Sequence, residues 1–119
     1  MDSILTTIKK MLGITEEYTQ FDVDLIVHIN SIISRLTQMG LGDSTGFTIS
    51  DKTAKWSDWI TTKDLEPVKT YIYLRVKLLF DPPSNGTVAK SYEQIIKELE
   101  WCLFITVDPP FIEEVVTNI

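Results

Sequence analysis

Two adjacent prolines in the middle of the chain constrain its fold more than any other feature. In Asp81-Pro82-Pro83-Ser84-Asn85-Gly86, Pro82 biases Asp81 away from helical backbone angles, and Pro83 does the same to Pro82. No helix continues through such a stretch, so the apolar repeats on its two sides belong to separate helices. Before it, Asp64 is placed to cap a helix from about Leu65 to Phe80, with Pro67 in the first turn, where a missing N–H matters little. Val68, Ile72, Val76, Leu79 and Phe80 form the apolar stripe of that helix. After the break, a helix from about Thr87 or Ser91 to Ile105 carries Tyr92, Ile95, Ile96, Leu99, Cys102 and Leu103 on its inner side. A second double proline, in Asp108-Pro109-Pro110, ends it and leaves a C-terminal tail.

Upstream, Asp2 or Ser3 can cap a short docking helix with Ile4, Leu5, Ile8, Met11 and Leu12 at helical spacing, stopped by Gly13. From about Asp22 to Met39, the positions Leu25, Ile26, Ile29, Ile32, Ile33, Leu36 and Met39 repeat every three or four residues, and Gly40 ends the pattern. Breakers crowd Gly40 to Gly46. Phe47-Thr48-Ile49-Ser50 alternates apolar with polar as a short strand does, and Thr53 to Ile60 puts Trp56 and Trp59 on one side of a turn or two of helix. The predicted fold is all-α: a small bundle of three main helices plus one or two short ones, with a variable loop or short β-ribbon around 40–63. With 119 residues there is room for one core. The expected division is a helical domain over 1–107 and a tail over 108–119, with Ile29, Ile33, Leu36, Val68, Ile72, Val76, Ile96 and Leu99 sharing the core.

Charge narrows the function. Seventeen acidic residues against eleven basic ones give a net charge of −6, and the nearest approach to a basic cluster is the pair Lys9-Lys10. Proteins that grip nucleic acid through its phosphates need several cations on one face, so direct binding of this kind is not expected. No apolar run is long enough to span a membrane, and a basic leader with a cleavage site is absent, so neither secretion nor membrane insertion is expected. One cysteine allows no internal disulfide and fits synthesis in a reducing cytoplasm.

The search for chemistry yields no catalytic, cofactor-binding or metal-ligating set. His28 is the only histidine and has no second His or Cys at ligand spacing. Cys102 lies among Glu98 and Glu100, which oppose a thiolate, and reads as a small buried hydrophobe. The pairs Glu16-Glu17, Glu98/Glu100 and Glu113-Glu114 point in different directions on a helix and read as solvated faces. Phosphate loops, dinucleotide fingerprints and nucleophile elbows are all missing. Trp56 and Trp59 are candidates either for the core or for a subunit interface. In the tail, Phe111, Ile112, Val115 and Val116 keep helical spacing beyond the double proline, which fits either a terminus that frays or a segment that orders on a partner.

The run from Asp64-Leu-Glu-Pro-Val-Lys-Thr-Tyr to Leu79-Phe80-Asp81-Pro82-Pro83, followed by Tyr92-Glu-Gln-Ile-Ile-Lys-Glu-Leu-Glu-Trp101, resembles the head-tail connector (adaptor) family of long-tailed bacteriophages. Phe21-Asp22 with the helix to Met39, then Gly46-Phe47 and Trp56-Ser57-Asp58-Trp59, follow the same order, so the resemblance covers the chain to about residue 107. It departs at Cys102, where relatives are often basic, and in the apolar tail. The resemblance implies a structural virion protein of the neck, made in the host bacterial cytoplasm and without enzymatic activity or cofactor. Its protomers would form a dodecameric ring between the portal protein and a tail-side stopper, and DNA would pass through without specific binding. It also implies that the tail is an arm toward the portal. The competing expectation is a small phage accessory or DNA-packaging protein that binds nucleic acid, which salt-dependent DNA affinity would reveal.

Overall fold

A computed structural model of the protein describes residues 3–42, 46–60 and 65–107. Five helices follow in order: α1 (Ile4–Leu12), α2 (Asp22–Gln38), α3 (Trp56–Trp59), α4 (Leu65–Phe80) and α5 (Gly86–Val107). The Ser3 hydroxyl caps α1 by accepting the Thr6 N–H at 3.2 Å. Two glycines in the left-handed region close the first two helices. At Gly13 (φ 83°) the N–H donates to the Lys10 carbonyl, and the Ile14 N–H reaches back to Lys9. At Gly40 (φ 102°) the same pair of bonds runs to Thr37 and, from Leu41, to Leu36. Both are six-residue closures that satisfy carbonyls otherwise left open at a helix end, and the buried Leu41 then tucks against the core.

α4 is the central element, packed against α1, α2 and α5. Its apolar surface accordingly wraps further round than one stripe: Tyr71 and Leu74 are buried along with Val68, Ile72 and Val76. From the other helices, Ile4, Leu5, Ile8, Leu25, Ile29, Ile32, Ile33, Leu36, Ile96 and Leu103 complete the core, with Leu99 half-buried against it. The eight residues expected to share a core therefore do so.

Several expected inner residues face outward. Leu79 is 55% exposed, Ile95 40% and Met11 38%, and Cys102 is exposed, not buried. For α5 the reason is geometric: within the core it packs mainly on α4, and one neighbouring helix covers only a narrow strip. Tyr92, Ile96, Leu99 and Leu103 fill that strip, which leaves Val88, Ile95 and Cys102, spaced seven apart, on its uncovered flank.

Of the variable loop or short β-ribbon expected around 40–63, the loop is what forms, since no strand is present among the described residues. The inward and outward alternation is real, with Ile49 buried between exposed Thr48 and Ser50. Ile49 finds its partner in a side chain: the Asn30 amide donates to the Ile49 carbonyl at 2.9 Å and accepts its N–H at 2.8 Å. One asparagine on α2 thus supplies both bonds a neighbouring strand would make. An isolated antiparallel bridge joins Ser3 to Lys55, and the Ile4 N–H donates to Ala54, tying this segment to the start of α1.

Candidate assembly surfaces

Three helices meet at a charged junction. Tyr71, buried on α4, donates its hydroxyl to Glu100 of α5 at 2.7 Å, while Arg35 of α2 donates Nε to the Tyr71 oxygen at 3.2 Å and to Glu100 at 3.3 Å. Arg75 approaches the same carboxylate oxygen at 3.6 Å and lies over the Tyr71 ring at 5.7 Å. Burial, followed by the bond to Glu100, pushes the Tyr71 phenol above its ordinary value, and the neighbouring guanidiniums offset this only in part. Arg35 and Arg75 are the only arginines in the chain, and both converge on one carboxylate. The junction therefore carries one cation more than it needs.

That excess faces an open groove of about 410 Å³ between α4 and α5, lined by Leu78, Leu79 and Ile96 and flanked by Arg35, Arg75, Lys97, Glu93 and Glu100. A second uncovered apolar area lies on α2. Val23 is 73% exposed and Val27 60%, one turn apart on the side of α2 opposite Leu25, Ile29 and Leu36. Trp101 is 61% exposed on α5 beside Glu100. Its neighbours one turn earlier are the exposed Lys97 and Glu98, and an exposed tryptophan among charged side chains has the make-up of an interface anchor.

Trp56 and Trp59, named from sequence as core or interface, lie inside the protomer, at 0% and 8% exposure. Trp56 donates its indole N–H to the Thr7 hydroxyl at 3.1 Å and stacks on Trp59, which stacks on Phe47 in turn. Lys69 sits over the Trp56 ring at 5.7 Å. Gly42 packs so closely that a Cβ there would stand 2.7 Å from the Trp59 indole nitrogen. Phe111, Ile112, Val115 and Val116 lie outside the described residues, as does the rest of 108–119.

Lys9, half of the one basic pair, is buried: its ammonium meets the Asp22 carboxylate at 2.9 Å and the Glu16 carbonyl at 3.0 Å. His28 is half-buried on α2. Among the described residues no group of three His, Cys, Asp or Glu is arranged to hold a metal, and no helix is long and apolar enough to cross a membrane. Sequence reasoning missed Trp101 and the pair Val23/Val27, although each falls outside its helix's inner repeat, which is the signal that finds them.

Comparison with known proteins gives one match. A family model described as "Phage connector protein" matches residues 4–110. No curated protein and no solved structure is significantly similar to the chain.

Proposed function

Because the chain belongs to the phage connector protein family, a structural role in the virion, we propose that its protomers form a ring in the head-tail neck, between the portal protein and a tail-side stopper. The observation that carries this reading is the family match over residues 4–110. DNA passes through the ring without being gripped. A net charge of −6 and the withdrawal of Lys9 into an ion pair favour this, since an acidic wall repels the backbone. The protein acts without catalysis or cofactor, by presenting surfaces. Val23, Val27, Leu79 and Trp101 supply the exposed apolar contacts, and the tail residues Phe111, Ile112, Val115 and Val116 reach toward the portal.

Co-sedimentation distinguishes this from a DNA-binding accessory role. The full chain is expected to pellet with its cognate portal and to leave double-stranded DNA unbound at physiological salt. A micromolar affinity for DNA that falls steeply with added salt, together with no portal binding, would overturn the reading.

A further inference from the structure

We propose that neighbouring protomers join head to tail, with the outer face of α2 at Val23 and Val27 seated in the α4–α5 groove of the next copy. The proposal rests on the ring reading and names its surfaces. A ring closed by rotation uses two different patches on each subunit, one for each neighbour. The protomer has two such patches: the groove with Leu78, Leu79 and Ile96 between α4 and α5, which has Arg35 of α2 at its edge, and the Val23/Val27 line nearer the start of α2, which points away from the core. Their charges are opposite in sign. Exposed Asp24 adjoins Val23 and Val27, and the surface around Val23 carries Glu16, Asp22 and Asp51 against Lys9 and Lys52, so the acidic side prevails. The groove has the cations Arg35, Arg75 and Lys97 against the anions Glu93 and Glu100, which leaves it one positive charge in excess. Opposite charges around an apolar centre fix register and reject the reversed pairing.

The test uses the full chain with Val27→Asp, which spoils only the α2 face, and Leu79→Asp, which spoils only the groove. Both positions are exposed, so circular dichroism should match the wild type. Self-association is followed by sedimentation velocity alone, and by electron microscopy with the portal. Each variant alone is expected to lose at least about tenfold in self-association and to form no ring. Mixed together they should stop at a dimer, because one intact groove meets one intact α2 face. Asp24→Lys and Lys97→Glu should each weaken assembly, and their combination in one chain should restore it. Wild-type rings on the portal with both Asp variants assembling equally well would overturn the proposal while leaving the ring reading intact. A wild-type chain that self-associates neither alone nor on the portal would overturn both.

Discussion

Lys9 is the residue whose environment differs most from what its type suggests. Its ammonium is held by the Asp22 carboxylate and the Glu16 carbonyl, and so fastens the end of α1 to the start of α2. Replacing it with methionine keeps the volume but leaves Asp22 without its cation. The expected loss is about 2–3 kcal/mol, below the 3–5 kcal/mol or so of a fully enclosed pair because Asp22 keeps a quarter of its side chain in solvent. An unchanged urea midpoint for Lys9→Met would show that the pair contributes nothing. Tyr71 gives a pH-dependent counterpart. Its phenol titrates higher in the folded chain than its ordinary value of 10.0, so the proton is bound more tightly when folded. That contribution is complete below pH 10 or so and is lost as pH rises toward the folded value. Tyr71→Phe should lower stability at pH 7 by about 1–2 kcal/mol, through the lost bonds to Glu100 and Arg35, and should flatten the alkaline decline. Parallel curves for the two proteins between pH 8 and 11 would contradict this. Neither arrangement is legible in the sequence. Lys9 pairs across thirteen positions and Arg35 with Glu100 across sixty-five, and only the packing of the helices brings them together.

Among the elements, the helices were legible because their signals are local. The double proline at Pro82-Pro83, Gly13 and Gly40 mark real ends, and the three- and four-residue repeats mark the buried sides of α1, α2 and α4. The signal failed where burial depends on how many neighbours an element has. Leu79, Ile95 and Cys102 continue a helical repeat in sequence, yet the number of helices around α4 and α5 decides which of its members are covered. At Phe47–Ser50 the alternation marks which side chains turn inward but leaves loop or ribbon open, because it cannot say whether a strand or a side chain completes the backbone bonds. Asn30→Ala tests the second case. Both the N–H and the carbonyl of buried Ile49 would lose their partner, an expected loss of about 2–3 kcal/mol. Amide exchange at Ile49 should accelerate strongly, while amides in the middle of α4 keep their order of protection. Unchanged protection of Ile49 would show that the clamp is dispensable.

At the scale of the whole molecule, the chain sorts its large apolar side chains between a buried interior and a few exposed positions. Two of its tryptophans, Trp56 and Trp59, are inside, and the third, Trp101, is outside. Trp101→Ala should therefore shift unfolding by less than about 0.5 kcal/mol, yet weaken assembly by about tenfold or more if the ring is built on this face. Equal assembly by the variant, measured by sedimentation with the portal, would remove Trp101 from the interface. The proposed neck ring is tested by electron microscopy of the purified protein mixed with its portal. A closed ring of protomers is expected, seated coaxially on the narrow end of the portal, with a central opening wide enough for duplex DNA. A portal that remains bare at saturating protein, or protomers that attach without forming a ring, would contradict it.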